Sequence, residues 1–530
     1  MKKYLKNKSN HYFYSTLIIL VGLNIQSAIA EEIKDLDVKT SYYVERKSYG
    51  TGRETEPPRY VKQANKTWLK DYDAFENLDW LDIGLDYRIR VENRDNDYRR
   101  TTRDENPATR NRNPIGTIDE PILLRTRAYV AIKDILDPLR FTLEVEDAQR
   151  NNSQFTRSFD TRDVNKAEPI QAYLELYFKN SILGKDDLGN ERPISIKAGR
   201  QAFEYLDRRL FARNEWRNTT NNHQGIRATF GQKKNDWQLD LLALKPVQRF
   251  TQELDEVNHS QDIYGAIFDW RRWSDVVTLQ PYYYVFKQDG EKVKFTTGGL
   301  PETSNSNKID RSIHTAGLRA FGVIGKTGFD YDANYVKQWG SQDKTLNGQK
   351  LDHEAYSYNA EIGYSPKHPW KPRFSAFYGF ASGDKNPDDG KNQRFDAPFG
   401  FARPWSNNDY FDMANISAPK VRVEFEPPVS WLDSLKVDAG FSWYRLDSAT
   451  DRWRGGDLQY SPGSGKNGGK DVGKEFDVRL RFPINQYISA NLGYAHFWAG
   501  DFIKTETHKA DPNRRDNSDF LYAEFSISAF

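Results

Sequence analysis

Residues 81–92 read LDIGLDYRIRVE and alternate without a break. Leu81, Ile83, Leu85, Tyr87, Ile89 and Val91 are apolar, while Asp82, Gly84, Asp86, Arg88, Arg90 and Glu92 between them are small or charged. A period of two sends these sets to opposite faces of a strand. A half-buried strand of a soluble domain turns its polar face to bulk water. Here similar segments, each about ten residues long, recur along the whole chain with turn or loop residues between them, as in barrels that meet lipid outside and water inside. The predicted fold class is therefore all-β: a transmembrane antiparallel β-barrel of about 18 strands, of the outer-membrane type.

Composition agrees. Only 37% of the 530 residues are hydrophobic, which would leave several soluble domains with thin cores. A barrel needs no central core, because lipid covers one face of every strand. Aromatic residues make up 14%, enough to supply girdles at both membrane interfaces, although plain β-structure also favours them. Cysteine is absent, which excludes disulfides, thiolate metal sites, covalent haem attachment and a cysteine nucleophile.

The first thirty residues have the pattern of a secretory signal peptide. Lys2, Lys3, Lys6 and Lys8 precede an apolar run from Phe13 to Leu23, and Ala28-Ile29-Ala30 fits cleavage before Glu31. That run is too short for a membrane helix. Removing it takes four lysines and no acids, leaving 73 basic against 75 acidic residues. Bulk charge thus gives no reason to expect nucleic-acid binding. Residues 31–78 are polar, carry Pro57-Pro58, and read as a periplasmic segment, either a loose tail or a plug folded back on the barrel. The barrel itself is expected over 79–530.

Strands are expected at 81–92, 122–133, 139–147, 169–178, 194–200, 225–231, 236–244, 262–270 and 276–286. The second half adds 312–322, 328–337, 355–364, 373–381, 418–426, 434–445, 474–482, 487–497 and 519–529. Connections alternate in length. Short ones fall at 134–138, 232–235, 271–275, 324–326, 365–371, 427–430 and 483–486; long polar loops lie between them. Outer-membrane barrels have this rhythm, with short periplasmic turns and long outer loops. The stretch 179–193 is the one long periplasmic connection. The chain ends FLYAEFSISAF, a terminal aromatic strand of the kind outer-membrane assembly machinery reads. Leu521, Ala523, Phe525 and Ile527 share one face but Phe530 falls on the other, so a slip or bulge is expected near the end.

Assigning the apolar face to lipid turns the other face inward. Parity places Asp86, Arg88, Arg90, Arg125, Arg127, Tyr129, Arg140, Glu144, Glu146, Gln171, Tyr173 and Glu175 in the lumen. It also places Lys197, Arg227, Arg319, Lys420, Arg422, Glu424, Glu426, Lys436, Asp438, Glu475, Asp477, Arg479 and Arg481 there. Arginine dominates the cations. Its planar fork holds a carboxylate bidentately and stays charged at any relevant pH. The pairs 88/90, 125/127 and 479/481 exceed what local acids obviously neutralise, so the lumen is expected to attract anions, with interleaved acids weakening each site enough to let them pass. The bland alternative is that lumen charges only pair with one another.

Catalytic motifs are weak. GSGKNG at 463–468 spells a nucleotide-binding pattern but precedes an alternating strand instead of a helix. Asp384, Asn386 and Asp388 have calcium-loop spacing without the required Gly and Glu, so a turn is the better reading. The eight histidines are scattered and neither HExxH nor GxSxG occurs. No cofactor or metal is expected.

Residues 199–227 read GRQAFEYLDRRLFARNEWRNTTNNHQGIR. Gly199-Arg200-Gln201, Asp207-Arg208-Arg209-Leu210, Glu215-Trp216-Arg217-Asn218-Thr219 and Gly225-Ile226-Arg227 together resemble the alginate-export outer-membrane porin family. A second block, YGFASGD at 378–384 continuing through Asn386-Pro-Asp-Asp-Gly390 to Phe395, resembles it too. The resemblance implies an 18-stranded monomeric barrel in the Gram-negative outer membrane, passing an anionic uronic-acid polysaccharide outward past an arginine-rich constriction. It extends that role to Arg88, Arg125, Arg127, Arg200, Arg227, Arg479 and Arg481. It also implies plugging by an outer loop and gating by a long, late periplasmic turn, whereas 483–486 is short. The expected partners are an anionic polysaccharide or small anions, outer-membrane lipid, the assembly machinery and periplasmic secretion partners. A general or small-anion uptake porin and a barrel enzyme with a His/Asp/Ser site on its outer loops are the alternatives.

Overall fold

The computed structural model describes residues 39–44, 47, 56–98, 118–153, 161–401, 403–453, 468–508 and 515–530. The signal peptide expected at 1–30 lies outside the described residues, as do most of the first long loop and nearly all of the GSGKNG run. Eighteen long antiparallel strands form one wall. They are β1 (Leu81–Asp95), β2 (Ile122–Ile132), β3 (Leu139–Asn151), β4 (Asn165–Phe178), β5 (Ile194–Gln201) and β6 (His223–Gly231). Next come β7 (Trp237–Gln248), β8 (Gln261–Ser274), β9 (Val277–Gln288), β10 (Arg311–Val323), β11 (Phe329–Asp343) and β12 (Lys350–Tyr364). The last are β13 (Arg373–Ala381), β14 (Ile416–Phe425), β15 (Lys436–Arg445), β16 (Asp471–Pro483), β17 (Ile488–Ala499) and β18 (Ser518–Ser528). Each strand pairs with its neighbours in the chain, and β18 pairs with β1 from Asp86↔Ser528 to Asp95↔Asp519. The sheet is closed, so its backbone donors and acceptors are satisfied inside the wall.

The alternation that predicted these strands is the alternation of their burial. In β12 every residue from Lys350 to Tyr364 switches between exposed and buried. In β1, Asp82, Asp86, Arg88, Arg90 and Glu92 are buried while Leu85 and Val91 face out. Bands of outward aromatics mark the membrane interfaces. On β11, exposed Phe329 and Trp339 stand ten residues apart, which is about 33 Å of strand and, at a tilt near 40°, about the 25 Å height of the apolar band.

Several boundaries differ from expectation. β11 and β12 continue past the lipid to the pair Asp343↔Lys350, because a polar hairpin keeps its ladder in water as well as in the membrane. β4 begins at Asn165, and a register shift opposite Glu144 and Val145 accommodates Pro169, which has no N–H to give. The connection read as 427–430 spans 426–435. The late turn between β16 and β17 is short, at 484–487. No slip occurs near the C-terminus: β18 pairs without a shift to Ser528. Phe530 leaves the strand and stacks on Trp68, whose indole N–H donates to the Ala529 carbonyl at 2.9 Å.

The largest departure is the interior. A buried apolar cluster sits inside the barrel, built from lumen-facing residues such as Leu242, Ile263, Tyr284, Tyr444 and Phe497 together with loop residues such as Phe203, Leu210, Phe211, Phe395, Trp405 and Phe411. Much of the aromatic content therefore packs a core inside the barrel instead of a girdle.

Two motif glycines explain part of this. Gly199 and Gly225 are register partners on β5 and β6. Both have positive φ, 136° and 147°, and a Cβ on either would lie 2.3 or 2.2 Å from a carbonyl oxygen of the adjoining strand, Ala172 or Ala243. Only glycine fits this backbone, beside the loop that turns inward. Gly199→Val is expected to abolish the heat-modifiable folded form on gel electrophoresis, whereas Ala198→Val, facing lipid on the same strand, retains it.

Candidate functional site

Residues 202–222, between β5 and β6, cross the lumen. One end of this loop meets β10 and β13: Asp207 lies 3.9 Å from Arg319, and the Arg209 guanidinium sits 4.9 Å above the Phe377 ring. The other end meets β18, β1 and β2. Trp216 packs edge-on against Tyr522 at 4.7 Å, and the Asn218 amide donates to the carbonyl of Leu124 at 2.9 Å. Leu206, Asp207 and Arg208 all have positive φ, between 53° and 67°. Such backbone costs about 1–3 kcal/mol per residue and persists only where its surroundings hold it. Here Asp207 accepts from the Arg209 amide and guanidinium.

A second inward loop, 382–415, clasps the first. The Ala212 amide donates to the Phe399 carbonyl and the Phe401 amide to the Arg208 carbonyl, each at 2.9 Å. Phe211 stacks on Phe399 at 5.8 Å, and the Arg403 guanidinium lies 3.5 Å from the Trp216 ring centre. This loop reaches the wall through Ser406, Asn407 and Asn408, which donate to Glu475, with Asn407 also donating to Asp477.

The loops meet the arginines foreseen from parity. Arg88 donates to the carbonyls of Glu215 and Arg217 at 2.7 and 2.9 Å and to Asn218 Oδ1 at 3.0 Å. Arg90 donates to Glu92, to the Trp216 carbonyl and to Glu524, and stacks on the Trp216 ring at 3.8 Å. Arg127 bridges Glu146 at 2.8 Å and Glu215 at 2.5 Å, and Arg125 lies 3.4 Å from Glu215 and 3.6 Å from Asp86. Burial alone would push the Glu215 carboxyl up, but Arg127, Arg213 and Arg125 outweigh it and hold it well below the usual carboxylate range. The contact is therefore charged at neutral pH.

Other lumen charges pair within the wall. Arg319, fully buried, forms a bidentate pair with Asp332. Asp438 takes three guanidiniums, from Arg422 at 2.6 Å and from Arg479 and Arg481 at 3.1 Å each. Arg140 pairs with Asp134 and Asp137 of the first short turn. Glu144 holds Arg213 and Gln171, and Glu175 accepts from Ser195. Arg200 holds Glu168 and donates to the carbonyls of Pro169 and Asp255. Arg227 holds Glu56 from the N-terminal segment.

The expectation of an unneutralised arginine excess at 88/90 and 125/127 is corrected. Burial forces pairing: Glu146, which parity placed in the lumen, is joined by two acids it did not supply, Glu524 and, from a loop, Glu215. Around Asp438 three guanidiniums share that carboxylate, and Arg422 also holds Asp477 at 2.8 Å. The structure also adds residues that parity did not supply. Arg94 lies just beyond the strand end as read and Arg373 is the first residue of its expected strand; Arg94 pairs with Glu92, and Arg373 with Asp330, Glu361 and Glu424. Arg213, Glu215 and Trp216 belong to a loop, and their only sequence signal was membership of the 199–227 block. At the calcium-like spacing, Asn386 caps the Asp388 amide in a turn, and no cluster of three or more metal-ligating side chains occurs among the described residues.

If Glu215 and the aromatic clasp hold the loop across the lumen, Glu215→Gln and Phe399→Asp should each raise the open fraction in single-channel recordings. The two together should exceed either alone. The melting temperature of the wall should change little, because neither residue lies in a strand.

Several solved proteins of Pseudomonas aeruginosa, among them the outer membrane protein OpdK, are similar in outline. OccK8 (OprE) shares 13% identity, with 85% of this chain and 98% of that one covered and a TM-score of 0.49. OpdK shares 10% identity over 84% and 98%, with a TM-score of 0.49. OccK11 (OpdR) shares 13% over 85% and 96%, with a TM-score of 0.47. No curated protein matches the sequence. The family model described as alginate export matches residues 79–516. That match runs from the foot of β1 through both inward loops to the threshold of β18, and the chain belongs to the alginate export family.

Proposed function

We propose that this outer-membrane channel passes an anionic saccharide, an alginate-like polyuronate, outward through its arginine-lined lumen. The observation that carries the reading is what Arg88, Arg90, Arg125 and Arg127 hold on the loop side: main-chain carbonyls, the Asn218 side-chain oxygen, the Thr220 hydroxyl and the single carboxylate of Glu215. A uronate polymer offers carboxylates, hydroxyls and ether oxygens, which accept from a guanidinium as these groups do. Withdrawal of the loop would turn four guanidiniums toward the passage, where a carboxylate replaces Glu215 and sugar hydroxyls replace the carbonyls. The wall acids Glu92, Glu146 and Glu524 remain behind and keep each site weak, as conduction requires. Phe520 and Tyr522 of β18, register partners of Arg94 and Glu92, stay on the wall and supply flat apolar faces suited to sugar rings. Arg479 and Arg481, which share Asp438, extend the positive field toward the short-turn rim, the periplasmic one in barrels of this kind.

Refolded mature protein in planar bilayers should carry anion-selective current that oligouronates block in a graded way. Glu substitution of both Arg479 and Arg481 should shift the reversal potential under a salt gradient toward cation selectivity, and Arg479→Ala alone should shift it only slightly because the field is shared. Unselective current with no oligouronate block would overturn the reading in favour of a general porin.

A further inference from the structure

Lys197 on β5 and Arg227 on β6 are direct register partners. Like charges set opposite each other across a ladder repel, so this pair needs an anion. Most buried lumen cations find theirs on the wall, as Arg319 does in Asp332 and Arg422 in Asp438 and Asp477. Lys197 and Arg227 find none on the wall at ion-pair distance, although Glu175 is the register partner of Lys197 across the ladder to β4. The one carboxylate within ion-pair distance of either, among the described residues, is Glu56, from the segment that precedes the barrel. Arg227 grips it with both terminal nitrogens, at 2.8 and 2.5 Å, and Lys197 donates at 3.1 Å.

The surroundings suit more than a structural ion pair. The Arg227 guanidinium lies 5.3 Å from the Phe203 ring, and Lys197 lies 5.0 Å above the Tyr173 ring. Glu56 and both aromatic rings border a cavity of about 300 Å³ that reaches Lys133 and Arg140 near the short-turn rim. That volume is at the lower end of small-ligand pockets, roughly 300–1,000 Å³. The Glu56 side chain is 43% exposed, and Ala202, Phe203, Glu204 and Arg213 of the first inward loop line the same cavity, so a solute entering from below meets the carboxylate and the foot of that loop together. The segment carrying Glu56 is held by the ladder of Val61–Gln63 on β1, by Tyr60 donating to Glu144 and by Trp68 against Ala529 and Phe530.

We infer that Lys197 and Arg227, with the aromatic rings of Phe203 and Tyr173, form the entry subsite for a uronate carboxylate, and that Glu56 is a tethered competitor which the polymer displaces. The inference rests on the export reading above. It assigns the N-terminal segment a role in regulating access: the segment keeps the repelling cations paired in the resting channel and yields to a ligand that brings the same charge with a ring to stack.

The test is oligouronate block of single-channel current, with the oligomer added at the short-turn side, for wild type, Glu56→Gln, Glu56→Asp and Arg227→Gln. Removing the competitor's charge should lower the half-blocking concentration of Glu56→Gln by about fivefold or more, because the subsite is then free in more of the molecules. Glu56→Asp should stay near wild type, and Arg227→Gln should weaken block. Equal block in wild type and Glu56→Gln would overturn the inference and leave the export reading standing. Absence of block in wild type and every variant would overturn the export reading and the inference with it.

Discussion

Closure of the sheet at β1 and β18 is the constraint on which everything else depends. Hydrocarbon offers no partner for a free N–H or C=O, so a strand wall is stable in lipid only when its last edge finds its first. The ten register pairs from Asp86↔Ser528 to Asp95↔Asp519 supply that closure. Once the edges are gone, each strand has one face in lipid and one turned inward, and the chain can place thirty or more ionisable groups in its interior only if they satisfy one another. The buried ion pairs are thus a consequence of the topology. Glu146 under Arg127 and Asp332 under Arg319 are what an enclosed polar face requires.

The wall was legible in the sequence because period-two alternation is a local property. All eighteen strands can be found from it, and β12 follows it residue by residue. Boundaries drifted where the chemistry ceased to be local. Pro169 forces a register shift that depends on the partner strand, and the upper ends of β11 and β12 stand in water, where apolar residues no longer mark the strand. Phe530 broke the parity because it has left the ladder for Trp68.

The interior was only half legible. Parity brought most of the foreseen arginines to the lumen face, since it depends on each strand alone. What those arginines hold depends on loops that have no period. Nothing in the spacing of Glu215, Trp216 or Phe399 says that they sit in the middle of the barrel. The density of arginine and aromatic residues in 199–227 was the available sign. Glu56 was hidden in the same way, in a polar stretch whose partner lies 171 positions away.

The clasp between the two inward loops has a further consequence for how such a channel moves. Phe211 and Phe399 each cover the other, and the backbone bonds on either side of them run between loops, one from Ala212 and one from Phe401. If one loop withdrew alone, it would strand the apolar underside of its neighbour in water and leave buried amides and carbonyls without partners. The intermediate is costly and the two ends are not. Motion in this barrel should therefore be two-state: current that jumps between a shut and a wide level, with little time spent between them.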